Sequence, residues 1–233
     1  GDHFKVALSQ GKPQVDELFT AGINHIVYHG ITYNPPEKLF PGRLFYASTN
    51  FGTKSHFWEE LPALNTYIER CQKVLQNTTS FNHILIYFPI HDIWAKKYTD
   101  ELIVRLEVHH SDHWLEHSNF GELAAKLWQD GFTFDYVSDQ MLSEAVVEDG
   151  EIVFDGGSYQ TIIIPHSTYM PAGTLQKLER LAKAGARVIV QENLPESVPG
   201  FKDVKERNEI FNTVKTQIKP LVNIIADVPS ELL

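Results

Sequence analysis

Cysteine is nearly absent. Cys71 is the single one in 233 residues, so no disulfide can form within the chain and no cysteine framework for zinc exists. Basic charge is scarce as well. Twenty Lys and Arg stand against 30 Asp and Glu, a formal net charge of −10. Binding to a phosphate backbone needs a basic surplus on one face, so a nucleic-acid partner is not expected, and an anionic membrane surface is not favoured either. No apolar run is long enough to span a bilayer. The opening residues Gly1-Asp2-His3-Phe4-Lys5 lack the basic and then apolar pattern of a signal peptide. Gly-rich phosphate loops are missing, as is a GxSxG elbow, so nucleotide binding and serine hydrolysis have no motif to rest on. There is no internal repeat and no low-complexity segment.

What is present is an alternation of helices and apolar strands. Val15, Leu18 and Phe19 share one helical face, with Gly22 as the stop. Ile23–Tyr28 then reads as a short buried strand. Residues 29–56 form a long loop rich in Pro, Gly and aromatics, of the kind that is functional or covers a barrel end. Phe57, Leu61, Leu64, Ile68, Cys71 and Leu75 repeat at helical spacing and predict a strong amphipathic helix. Cys71 on that stripe reads as inert core.

From residue 81 the pattern changes. His83–Phe88, Phe132–Val137, Thr161–Ile164 and Ala186–Val190 read as strands, with helices before Gly131 and between Pro171 and Gly185. Such alternation predicts an α/β fold: an open, mostly parallel sheet with helices on both faces. Val146–Val153 reads as a hairpin turning at Asp149-Gly150. Residues 202–219 read as a further helix and Ile224–Ala226 as a last strand. Residues 90–120 are ambiguous: Leu102, Val104, Leu106 and Val108 alternate like a strand, while Ser111–His117 looks helical.

The chemistry-bearing residues are few. His109, His113 and His117 recur at i, i+4 and i+8, a zinc-compatible spacing that needs a third ligand from elsewhere. With no HExxH and no nearby Cys, surface or packing histidines are expected and no metal site is assigned. His29 follows the first strand and opens the long loop, where a polar group at a barrel strand's C-terminal end can meet a ligand. Its imidazole suits a sugar hydroxyl, and Tyr33 or Phe45 offers an apolar face; a loop histidine bonded to backbone is an equal alternative. Glycoside hydrolysis needs two carboxyl groups in register, yet Glu59-Glu60, Asp92, Asp135 and Asp139 form no evident acid–base pair. No catalytic residue is therefore assigned. The strand-to-helix elbows carry Pro165-His166-Ser167 and Gln191-Glu192-Asn193, without the cysteine of a class I amidotransferase.

The run Gly22-Ile23-Asn24-His25-Ile26-Val27-Tyr28-His29-Gly30, with Tyr33-Asn34-Pro35 and Pro41-Gly42, resembles the last barrel strand and loop of α-L-rhamnosidases of glycoside hydrolase family 106. Tyr87-Phe88-Pro89-Ile90-His91-Asp92-Ile93-Trp94, Phe134–Asp139 and Pro165–Pro171 continue the resemblance in order, over roughly residues 15–200. Family 42 β-galactosidases have a similar layout. The resemblance implies a remnant of a (β/α)8 barrel in residues 1–80 and a flavodoxin- or amidotransferase-like domain in 81–233. It implies an inverting hydrolase of terminal α-L-rhamnosides in plant polysaccharides, periplasmic or secreted and bacterial. The rest of the barrel and rhamnose-containing glycans are then its partners. Calcium is implied in the sugar site of the intact parent, and no cofactor in this chain. The residues leave room for about one βα unit of the eight, so the acid and base are expected on earlier strands. His29 and Tyr33 carry over as sugar contacts. The rival readings are a non-catalytic structural or oligomerisation module and a carbohydrate-binding module, the latter with Tyr33, Phe45, Trp58 and Trp94 as its platform.

Overall fold

The computed structural model describes residues 3–46, 49–96 and 110–232. Two compact units divide the chain, Gly1–Ser80 and Phe81–Leu233.

In the first unit, helices α1 (Leu8–Thr20) and α2 (Leu61–Leu75) enclose a small core of Val15, Phe57, Leu61, Leu64 and Ile68. The apolar stripe starts at Phe57, but regular helix begins at Leu61, with Pro62 in the first turn where its missing N–H costs nothing. Gly22, at φ +91°, ends α1 in a conformation that glycine adopts without strain. Cys71 is half-buried at the edge of this core.

The strand expected over Ile23–Tyr28 does not form, and the first unit contains no strand among its described residues. A strand needs a neighbour to share its ladder, and the unit's regular elements are helices. Two glutamines one turn apart, Gln72 on α2 and Gln76 capping its C-terminus, serve the segment instead. Gln72 Oε1 accepts from Ile26 N (2.5 Å), and Gln76 Nε2 donates to Asn24 O (2.7 Å). The side chains still alternate: Ile26, Tyr28 and Gly30 are half-buried, while Val27, His29 and Ile31 are exposed. The period of a strand is present without its hydrogen bonds.

The second unit is an α/β layer structure. Strands β1 (Ile84–Tyr87), β2 (Phe134–Val137), β6 (Thr161–Ile164), β7 (Arg187–Gln191) and β8 (Asn223–Ile225) form one sheet in the order β2-β1-β6-β7-β8. Every pairing in it is parallel. Strands β3 (Val146–Glu148), β4 (Glu151–Phe154) and β5 (Gly157–Tyr159) form a small antiparallel sheet. It extends the expected hairpin by one strand. Asp149 and Gly150 both have positive φ (50° and 85°), as the tight turn requires.

Sequence alternation decides which helices cover which face. Leu85, Tyr87, Ile162, Ile164, Val188 and Val190 face one side, against α5 (Asp139–Glu144), α6 (Ala172–Lys183) and α7 (Val204–Ile218). Ile84, Ile86, Ile163 and Ile189 face the other, against α4 (Asn119–Gln129) and α8 (Val228–Leu232). Each such side chain contributes roughly 1.5–3 kcal/mol by leaving water. Both faces being covered explains why these strands read as continuous apolar runs.

Helix α3 (Ile90–Ala95) follows β1 directly. Leu102, Val104, Leu106, Val108 and His109 lie outside the described residues. The helix anticipated across Ser111–His117 is a single π turn, Asp112–Glu116.

Candidate functional site

His29 and Tyr33 both lie on the exposed side of the extended segment, Tyr33 at 74% exposure. The ring of His29 stands edge-on to Phe45, centroids 5.1 Å apart. The loop beyond is stitched to itself. Thr32 Oγ1 donates to Arg43 O (2.6 Å), and Asn34 Oδ1 accepts from Arg43 N (2.6 Å). Asn50 Oδ1 accepts from Phe45 N (2.9 Å). The partly open hollow between Gly30, Thr32, Asn34, Asn50 and Ser55 holds only about 10 Å³, near the size of one water and too small for a sugar ring. His29 and Tyr33 therefore lie on open surface and not in a sugar-sized cavity. Of the platform aromatics in this unit, Trp58 is 40% exposed and Phe45 half-buried.

The larger concavities are in the second unit, at the carboxyl ends of the parallel strands. Open α/β sheets bind ligands there, where neighbouring connections run in opposite directions. In this sheet that point lies between β1 and β6. A cavity of about 270 Å³ is bounded by Pro89 and Asp92 after β1, His166 after β6, and His117 to Phe120 at the start of α4. A second, of about 210 Å³, runs from Asn119 and His166 past Gln191 and Glu192 to Asp227. Asn119 and His166 line both.

The loop after β6 is held from three sides. Asp92 grips it with both oxygens, accepting from Thr168 N and Tyr169 N at 2.6 Å each. Asn119 Nδ2 donates to His166 O (2.9 Å), and Gln191 Oε1 accepts from His166 N (3.2 Å). The His166 backbone is thereby fixed, with its imidazole at the common wall. Its Nδ1 is buried without a hydrogen-bond partner, although Glu192 Oε2 lies 3.3 Å away. Glu192 is itself strained. It has φ +61°, and Asn193 N closes back onto Gln191 O at 2.7 Å, a γ-turn directly after β7. Such strain persists only where surrounding structure enforces it, and it concentrates at functional sites.

Asp139 is taken up structurally. Its Oδ1 accepts from Tyr87 Oη (2.9 Å) and Thr174 Oγ1 (2.6 Å), and its Oδ2 lies 3.5 Å from His91 Nε2. Burial first, and then the Asp139 charge, push the Tyr87 phenol far above its usual range, so it remains a donor. Asp135 accepts from Tyr159 Oη (3.0 Å). Burial together with this carboxylate raises the Tyr159 phenol to about 12.

Sequence reasoning passed over His166, Asn119, Gln191 and Glu192 as ligand-facing residues. The elbows Pro165-His166-Ser167 and Gln191-Glu192-Asn193 carry no cysteine nucleophile. Their position directly after parallel strands was the signal for a crevice.

A 25% identical stretch of 212 residues relates the chain to a Formosa agariphila protein described as "Putative beta-glucuronidase". It covers 90% of this chain and 15% of that protein, so the chain spans a small part of the relative's length. A family model described as alpha-L-rhamnosidase, Glyco_hydro_106, matches residues 1–223. With nearly its whole length matched, the chain belongs to glycoside hydrolase family 106.

Proposed function

We propose that this chain is a supporting part of a bacterial α-L-rhamnosidase-type hydrolase of terminal α-L-rhamnosides in plant polysaccharides, periplasmic or secreted. Residues 1–80 complete a (β/α)8 barrel and buttress its active site. The parallel sheet of residues 81–233 is a flavodoxin- or amidotransferase-like companion, a reading its strand order supports. The general acid and base, and any calcium at the sugar, belong to parts of the parent outside this chain. His29 and Tyr33 are its sugar contacts.

The observation that carries this reading is the segment from Ile23 to Tyr33. It has the alternation of a strand and apolar residues on its exposed side, Val27 at 76% and Ile31 at 63%, yet no ladder. A barrel supplies both the ladder and the cover. The engagement of Asp92 and Asp139 by protein donors also supports it, because both then act in positioning. The test is hydrolysis of an aryl α-L-rhamnoside by the purified chain, with and without calcium. No turnover is expected in either case. Turnover that vanishes in Asp92→Asn or Asp139→Asn would overturn the reading.

The paired cavities favour a second reading, carbohydrate binding by the α/β unit. Their walls mix acceptors (Glu122, Glu192, Asn119 Oδ1) with donors (Gln191 Nε2, His166), while Lys126 is taken up by Asp227. A polyhydroxylated ligand uses both kinds. Titration with rhamnose followed by amide NMR should shift resonances near His166 and not in Glu192→Gln. Shifts that persist in that variant, or none at all, count against this reading.

A further inference from the structure

The π turn Asp112–Glu116 and His110 just before it bring together residue types that neither the hydrolase reading nor the sheet requires. His110, Asp112 and His113 each present a ligand atom, and all three atoms lie within 4.8 Å of one another. The two imidazoles stack, centroids 5.0 Å apart and planes 9° from parallel. Asp112 Oδ2 lies 3.6 Å from His113 Nε2. The i, i+4 spacing of His113 and His117 pointed to a different pair and needed a distant third ligand. The turn supplies the carboxylate locally instead.

We infer that His110, Asp112 and His113 bind a single divalent transition-metal ion of the zinc class. Two imidazoles and one carboxylate suit zinc, nickel or copper, whereas calcium takes an all-oxygen set. A fourth position is left for water. The turn that carries Asp112 and His113 is braced, and the exposed rings of His110 and His113 turn out of their parallel stack to aim both lone pairs at one ion. Ser111 Oγ donates to Glu116 Oε1 at 2.8 Å, and Ser118 Oγ donates to Leu115 O at 2.6 Å. Gly121 lets α4 close onto the same turn: a Cβ there would stand 2.2 Å from Leu115 O. π turns recur at functional sites. This one leads into His117 and Asn119, which line the 270 Å³ cavity, so a bound ion would brace that wall.

The experiment is calorimetric titration of the full chain with zinc, paired with the absorption spectrum of the cobalt form. One saturable equivalent of zinc is expected, with calcium unable to compete. A His110→Ala/His113→Ala double variant should lose it. Asp112→Asn should weaken it by at least the ~10–100-fold that even an outer partner of a metal ligand contributes. His117→Ala should bind as the parent does. His113 and Asp112 are well exposed, at 68% and 55% of their side chains, so the variants keep the fold, which thermal unfolding without metal verifies. Absence of a saturable equivalent overturns the inference. Zinc uptake undiminished in the double variant, or equal uptake of calcium, overturns it as well.

Discussion

Replacing Asp92 by alanine tests whether one carboxylate organises the carboxyl edge of the sheet. Asp92 sits two residues into α3, immediately after β1, and reaches across to the loop after β6. Its two oxygens hold Thr168 N and Tyr169 N at 2.6 Å. A hydrogen bond to a charged group contributes roughly 1.5–3 kcal/mol, and an abandoned donor is costly where water cannot replace the acceptor. Asp92 is half-buried, which places the two bonds at the low end, about 3–4 kcal/mol in total. For a unit of about 150 residues, each kcal/mol moves Tm by roughly 2–4 °C, so Asp92→Ala should unfold roughly 6–16 °C lower. Asp92→Asn keeps a neutral acceptor and should lose about half as much. Thermal unfolding by circular dichroism gives the global number. Hydrogen exchange supplies the local one, since the Thr168 and Tyr169 amides should lose protection in the alanine variant. A Tm within ~2 °C of the parent, with both amides still protected, would refute the assignment of Asp92 as the latch.

Gly121→Ala should be costly despite alanine's better helix propensity, because the new Cβ meets the backbone oxygens of Leu115 (2.2 Å) and Glu116 (2.7 Å). A loss of about 1–3 kcal/mol in urea unfolding is expected, and an unchanged midpoint would show that the turn yields freely. Tyr159 should titrate near 12 in ultraviolet absorbance, with Asp135→Asn bringing it back towards its ordinary range. The folded value is raised, so its contribution to stability is whole below about 10, the unfolded tyrosine value, and is lost as pH rises through the folded one. Removing Gln72 and Gln76 together should expose the Ile26 amide to rapid exchange and sensitise residues 23–31 to proteolysis, whereas the α/β unit should be unaffected.

The α/β unit was legible because its strands are doubly covered. Ile162, Ile163 and Ile164 are all buried, and such a run has few outcomes other than an interior parallel strand. Gly131 and Gly185 marked helix ends through their positive φ, 85° and 103°. The Ile23–Tyr28 run misled because periodicity reports what a segment prefers to bury, while a strand also requires a partner. The crevice was the least legible part. His166 and Asn119 stand 47 positions apart in the sequence, and only the order β1-β6 in the sheet brings their loops together. The π turn was hidden for a related reason. Spacing by i+4 assumes regular α-helical geometry, whereas His110 precedes the π turn and meets His113 at i+3.

The alternation of the Ile23–Tyr33 segment also bears on which side chains a sugar meets under the barrel reading. Its even-numbered side is committed to the helices. Tyr28 Oη donates to Asn65 Oδ1 on α2 (2.7 Å), its ring stacks on Phe51 at 4.4 Å, and Ile26 packs on the same core. In a βα barrel each strand turns one face to its helices and the other to the interior. If the even side takes the helices, the odd side is the interior, and Val27, His29, Ile31 and Tyr33 belong to it. Burying Val27 and Ile31 alone favours that placement by roughly 3–6 kcal/mol. The ordering cost of about 1–2 kcal/mol per residue is partly met already, because Gln72 and Gln76 hold the backbone extended. The same pleat that drives the apolar pair inward carries His29 and Tyr33 with it, towards the end of the strand where barrel ligands bind. The proposed sugar-facing placement of His29 and Tyr33 thus rests on one choice of face, the choice that Tyr28 makes by turning to α2.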